Sequence, residues 1–324
     1  IAMLGTTWKQ GIDPKLKTPY LEEFTAAIDH QLATDVRVSV GFTSRTWRNL
    51  LSDPYYDLET GQYWSEADSG YWVPFETIVP AVGSDFAAAP VTVYFRKSDS
   101  PDQFSRLTNI DGAKARYTAV DFTLNKRMSN NWQFGGSLVV SRMAGNYPGT
   151  SGAPTGFFRT PNYRVNRDGR IGVDQPVQVK LWGSAMLPFG MQASYFYRYL
   201  SGTPWNRTVT VIPPADWAAA NGTATFGEAV NLEVPGTRRH TSTSNLDLRL
   251  EKVFKLGGKR QVGAFVDLFN ALGFVYPSAT VNPGGTWRPD GVGTPEGRYT
   301  PGAMRLTGLS GGVRTIKLSA RIAF

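Results

Sequence analysis

The sequence predicts an all-β chain whose long strands stand side by side as an antiparallel wall across a membrane. Three observations predict it. Apolar and polar residues alternate with a period of two in nine separate segments. Each segment runs about 10–14 residues, whereas soluble strands cluster near 5–6 and membrane-crossing strands need about 9–11. The connections between segments are short at one set of ends and long at the other.

The segments follow in chain order. EEFTAAIDHQ sets Phe24, Ala26 and Ile28 against Glu23, Thr25 and Asp29. VRVSVGFTSR sets Val36, Val38, Val40 and Phe42 against Arg37, Ser39 and Arg45. YTAVDFTLNKR sets Val120, Phe122 and Leu124 against Asp121, Thr123 and Asn125. WQFGGSLVVS sets Trp132, Phe134, Leu138 and Val140 against Gln133, Ser137 and Ser141. PVQVKLWGSAML sets Val177, Val179 and Leu181 against Gln178 and Lys180. MQASYFYRYL sets Tyr195, Tyr197 and Tyr199 against Ser194 and Arg198. SNLDLRLEKVF sets Leu246, Leu248 and Leu250 against Asn245, Asp247, Arg249 and Glu251. QVGAFVDLFN sets Val262, Ala264, Val266 and Leu268 against Phe265 and Asp267. The ending VRTIKLSARIAF sets Ile316, Leu318, Ala320, Ile322 and Phe324 against Thr315, Lys317, Ser319 and Arg321.

A strand can cross a bilayer only if its backbone is fully hydrogen-bonded, so these strands must belong to a closed barrel. One parity then meets lipid and must be apolar. A cation there costs about 2–4 kcal/mol at the midplane, which is why Lys317 and Arg321 take the other parity.

The short connections are ATD at 33–35, SNN at 129–131, PFG at 188–190 and GGK at 257–259, all rich in turn residues. Long stretches run from about Asn49 to Gly112, Ala144 to Asp174, Gly202 to Thr243 and Ala271 to Gly312. Short turns on one rim and long loops on the other is the outer-membrane layout, with the loops extracellular. The loops are long enough to carry strands of their own, and VTVYFRK at Val91–Lys97 reads as one. Parity also sets a register. A three-residue loop Gly257–Lys259 with a bulge keeps the apolar sets together and places Arg249 opposite Asp267 as an ion pair on the polar side.

Composition narrows the function classes. The chain has no Cys, so a disulfide framework, a thiolate metal site and a Cys nucleophile are excluded. The formal charge of +8 is scattered along strands and loops rather than gathered, which argues against nucleic acid as a partner. Of the two histidines, His30 sits beside a short turn and His240 in a long loop, with no partners at ligand or catalytic spacing. The reading expects no enzyme, no cofactor and no metal. No run of 18 apolar residues is present, and the first residue is Ile1, so further sequence is expected upstream.

The stretches DPKLKTPYLEEFTAAIDHQL, DFTLNKRMSNNWQFGGSLVVSRMAGN, NLDLRLEKVFKLGGKRQVGAFVDLFNAL and LSARIAF resemble the C-terminal barrel of TonB-dependent receptors, nearest to the Oar-like group, whose N-termini carry a carboxypeptidase-regulatory-like domain. Such barrels close about 22 strands round a plug. The resemblance implies that residues 1–324 are the C-terminal portion of such a barrel, about its last nine strands, without plug or early strands. It implies active uptake of an extracellular ligand, energised by the TonB complex through an upstream region absent here. It also implies that Phe324 ends an insertion signal read by the barrel assembly machinery. The alternative expectation is a structural or adhesive surface barrel. A passive porin and a soluble β-sandwich are the remaining classes.

Two residue sets follow. Polar inward positions Arg37, Arg45, Asp121, Lys180, Arg198, Arg249, Asp267, Lys317 and Arg321 are expected to face the lumen and hold the plug. Loop residues Tyr55, Tyr56, Tyr63, Trp64, Trp72, Trp205, Arg207, Trp287 and Arg288 offer aromatic faces and hydrogen-bonding groups suited to sugars, peptides or chelates. The competing reading is that these aromatics pack the loops together and form an interfacial girdle.

Overall fold

The structure is a computed structural model, and it describes residues 9–81, 84, 86–102, 104–147, 158–172, 174–257, 260–273, 276–277, 284–289, 298–300, 309–310 and 313–323. Phe324 and the turn residues 258–259 lie outside the described residues.

Nine long strands form one antiparallel sheet in chain order. They are β1 (Tyr20–Ala33), β2 (Val36–Arg48), β3 (Ala115–Ser129), β4 (Trp132–Gly145), β5 (Val177–Leu187), β6 (Met191–Leu200), β7 (Thr243–Gly257), β8 (Arg260–Phe269) and β9 (Thr315–Ala323). Each neighbour in space is the neighbour in sequence, which is the meander of an outer-membrane barrel wall.

The register carries one apolar row across the first six strands and another across the last three. Ile28 pairs with Val40, Val40 with Phe122, Phe122 with Leu138, Leu138 with Val179 and Val179 with Tyr199. Farther on, Leu250 pairs with Val266 and Val266 with Leu318. Most of these apolar side chains stay exposed, Ile28 at 75% and Leu318 at 74%. Four buried side chains of the wall, Ala119, Ser141, Ser184 and Asp267, lie on the opposite parity. Curvature explains both facts: the polar parity is the concave, enclosed face, and the apolar parity is the convex face that lipid covers. Tyrosines on the convex face of β6 satisfy their hydroxyls sideways. Tyr197 Oη accepts from Ser244 Oγ at 3.0 Å, and Tyr199 Oη donates to Ser242 Oγ at 3.1 Å.

The short turns repeat one device. Gln31 pairs with Arg37, but Ala33 pairs with Val36; Lys126 pairs with Phe134, but Ser129 pairs with Trp132. Lys255 pairs with Gln261, but Gly257 pairs with Arg260. A two-residue turn alone would flip the apolar set on one strand, and a bulge in the incoming strand restores it. The expected three-residue Gly257–Lys259 loop is therefore corrected in detail: Gly257 still pairs, and the irregularity lies between Lys255 and Gly257. At Asn130 and Asn131 both φ values are positive, 49° and 67°, the backbone of a type I′ turn that asparagine tolerates. The Pro188–Gly190 turn instead closes on a Leu187–Met191 pair and leaves Phe189 at its tip, 83% exposed.

At the other rim the four long connections fold on one another. We call them L1 (49–114), L2 (146–176), L3 (201–242) and L4 (270–314). L1 contributes a hairpin, Trp72–Val79 with Ala89–Arg96, which contains the loop strand read from VTVYFRK. L3 and L4 share a sheet in which Thr208–Val211 pairs with Glu228–Asn231 and, in parallel, with Gly284–Trp287. One core joins three loops: Val79, Val91, Val93 and Phe95 from L1, Val209, Val211, Val230 and Leu232 from L3, and Trp287 from L4. Each such side chain contributes about 1.5–3 kcal/mol on burial, enough to hold long loops in one arrangement. Trp287 Nε1 also donates to Thr77 Oγ1 at 2.8 Å, tying L4 to L1. A second core of Leu50, Ala115, Tyr147, Phe158 and Ile171 seats L1 and L2 on the wall.

Candidate functional site

Two surfaces can do chemistry: the concave wall and the loop layer above it. Alternation along each strand builds the first. Arg37, Arg45, Asp121, Lys180, Arg198, Arg249, Asp267, Lys317 and Arg321 all sit on the concave parity. Several are already paired. Arg37 Nη2 lies 2.9 Å from Asp29, and Arg45 Nε 2.5 Å from Glu23. Arg249 clasps Asp267 with two bonds, Nε to Oδ1 at 2.5 Å and Nη2 to Oδ2 at 3.0 Å, so the pair expected from the register is present. Lys317 stands directly opposite Asp267 on the next strand, and Arg321 reaches Glu251 at 3.7 Å.

Lys180 and Arg198 differ. They face each other directly across β5 and β6, both exposed, with no carboxylate within ion-pair reach among the described residues. Like charges directly opposite destabilise a sheet. Two register steps toward the turn, Trp182 faces Phe196, and they remain 39% and 41% exposed on the same polar face. Gly135 makes room for Trp182, since a Cβ there would lie 2.1 Å from the indole ring. Two cations beside two aromatic rings can hold an anionic group with an apolar body. The sequence singled out the cations but not the rings. Their signal was an aromatic residue on the wrong parity of an otherwise polar set.

The loop layer receives the other residue set unevenly. Trp64 and Trp72 are buried with Tyr55 in one cluster, where Tyr55 stacks on Trp64 at 4.8 Å between centroids. Trp287 is buried in the three-loop core, and Arg207 is buried under L3, where it donates to Ala87 O at 3.0 Å. Tyr55, Trp64 and Trp72 thus pack within L1, while Arg207 ties L3 to L1 and Trp287 ties L4 to both. Tyr56, Tyr63, Trp205 and Arg288 keep part of their surface exposed. Tyr56 packs edge-on against Tyr63 at 5.1 Å, with the Arg106 guanidinium 3.5 Å over its ring. Trp205 lies under Arg238, 5.4 Å from the ring centroid.

Buried polar groups fix the layer. The Asp174 carboxylate is fully buried at the top of the wall, where it meets Arg239 Nη2 at 2.5 Å and accepts from the Met143 amide at 2.6 Å. The Asn162 side chain exchanges two 2.8 Å bonds with the Tyr94 backbone, acting as one more strand residue. Its Nδ2 also reaches Glu228 at 3.3 Å, and burial pushes the Glu228 carboxyl up to about 7. Asp57 moves the other way, to about 2, because Thr60, Tyr71 and backbone amides donate to it. No cluster of His, Asp and Glu able to hold a metal occurs among the described residues. His30 and His240 stay apart, one on β1 near a turn and one in L3.

The chain is 22% identical over 214 residues to the TonB-dependent transporter Oar of Myxococcus xanthus, a match covering 62% of this chain and 17% of that protein. The solved outer membrane transporter YddB from Escherichia coli superposes with a TM-score of 0.46 at 12% identity, over 97% of this chain and 34% of that one. The chain therefore spans well under half the length of the relatives it matches. A family model described as outer membrane beta barrel domain matches residues 3–203. With nine amphipathic strands in a meander and a family match over most of its length, the chain belongs to the outer membrane beta barrel domain family and resides in the outer membrane.

Proposed function

We propose that residues 1–324 form the C-terminal wall of a TonB-dependent receptor-like barrel, and that the whole protein takes up a ligand captured by its loops. Energy would come from the TonB complex through a region outside this sequence, and the concave wall would face a plug. The observation that carries the reading is the concave face itself. Its charged rows, and above all the uncompensated Lys180–Arg198 pair, suit a wall in contact with a folded plug or a passing ligand rather than bulk water. Ligand contact belongs to the accessible loop residues Tyr56, Tyr63, Trp205 and Arg288, while Tyr55, Trp64, Trp72, Arg207 and Trp287 support them from beneath.

The test uses the intact protein. Purified in detergent, it should bind the periplasmic domain of TonB, and cells should accumulate its ligand only while the inner membrane is energised. Absence of both would overturn uptake. It would favour a surface barrel that anchors an extracellular assembly, a reading that Ile78 and Phe226 support by standing 64% and 79% exposed on the loop layer.

A further inference from the structure

The convex face breaks its own rule at one place. Along the middle of the wall its positions are apolar or uncharged among the described residues. At the loop-side edge of the apolar band stand Arg48 on β2, Arg116 on β3 and Arg142 on β4, all exposed. Register puts them on the lipid parity. Val120 pairs with Val140, and the next convex step pairs Thr118 with Arg142; Arg116 pairs with Thr46 and Ala144. Arg116 and Arg142 are thus diagonal neighbours on adjacent strands, about 7–8 Å apart at Cα.

Their electrostatics is uncompensated. Arg48 is neutralised by Glu22 at 2.9 Å. The Arg116 and Arg142 side chains make no ion pair or hydrogen bond among the described residues. Their convex neighbours Thr118, Ser44 and Thr46 offer hydroxyls and no carboxylate. The turn-side rim differs. Lys126 is neutralised there by Asp35 at 3.2 Å, while Lys252 and Arg260 lie on different strands and well apart in register. A guanidinium at the boundary of hydrocarbon reaches headgroup depth and finds anions there. Two planar guanidinium groups on one face can grip a single phosphate from two sides.

We propose that Arg116 and Arg142, with Thr118 between them, bind the phosphorylated headgroup of a lipid in the loop-side leaflet. The lipid's acyl chains would lie along Val120, Val140 and Leu138, directly beneath on the same face. The site rests on the wall's position in the outer membrane and is independent of whether the protein transports anything.

The experiment titrates the intact, delipidated protein in mild detergent with diphosphoryl lipid A, with fully dephosphorylated lipid A, and with inorganic phosphate, reading bound lipid by native mass spectrometry. Wild type should bind the diphosphoryl form on the order of 10-fold or more tighter than the Arg116→Gln/Arg142→Gln variant. Both proteins should bind the dephosphorylated form equally. Arg116→Lys/Arg142→Lys should lie between, and Lys252→Gln should match wild type. Equal binding of the diphosphoryl form by wild type and the glutamine variant would overturn the site. So would indifference to the lipid's phosphates. Displacement of the lipid by millimolar inorganic phosphate would assign the site to the free anion and refute the lipid proposal.

Discussion

Replacing Glu228 with Gln tests how the loop layer stores energy. Glu228 sits on the L3 strand that pairs with Thr208–Val211, beside Asn162 of L2. Burial raises its carboxyl from an ordinary 4.5 to about 7. A raised acid binds its proton more tightly in the folded layer than in the open one. Stability is therefore greatest below about pH 4.5, falls as pH rises toward 7 and levels off above it. The full difference corresponds to about 3 kcal/mol. Part of the side chain reaches solvent, so about 1–3 kcal/mol is the working range. Gln keeps an oxygen to accept from Asn162 Nδ2 and carries no charge. Hydrogen exchange of the intact protein in detergent, corrected for intrinsic rates, reads local opening of residues 208–211 and 228–231. Wild-type protection should fall roughly 10- to 100-fold between pH 5 and 8. Glu228→Gln should be level across that range and better protected at pH 8. Unchanged wild-type protection, or a variant that follows it, would refute the reasoning.

Two further outcomes follow from the geometry. Trp64 is completely buried in the L1 cluster, so Trp64→Ala should cost the loop layer about 3–5 kcal/mol and lower its protease resistance, while Tyr56→Ala should leave resistance unchanged. Arg249→Met strands the buried Asp267 carboxylate and should lower stability in urea by about 1–3 kcal/mol, an effect that adding Asp267→Asn should largely reverse; an additive double variant would show that the pair is not coupled.

The wall was legible in the sequence because lipid and water sort side chains residue by residue. Period-two alternation and turn residues located all nine strands, and parity alone set Arg249 against Asp267. The loop layer was not legible, because its pairings join distant segments. Thr208–Val211 meets Gly284–Trp287, and Trp287 meets Thr77, with nothing local to announce either contact. For the same reason composition picked out the loop aromatics without separating buried Trp64 from accessible Trp205. Arg116 and Arg142 did leave a signal: cations continuing the apolar parity beyond Val120 and Val140. The alternation was read only as far as it stayed apolar.

The chain contains no Cys, so single cysteine substitutions can be spin-labelled without background. Labels placed one at a time from Ala119 to Leu124 on β3, in the intact protein reconstituted in bilayers, report collision with oxygen dissolved in lipid against a water-soluble nickel chelate. Labels at Val120, Phe122 and Leu124 should favour oxygen, and those at Ala119, Asp121 and Thr123 should favour the chelate or be shielded from both. Equal accessibility along the strand, or the opposite phase, would contradict the assignment of the convex face to lipid.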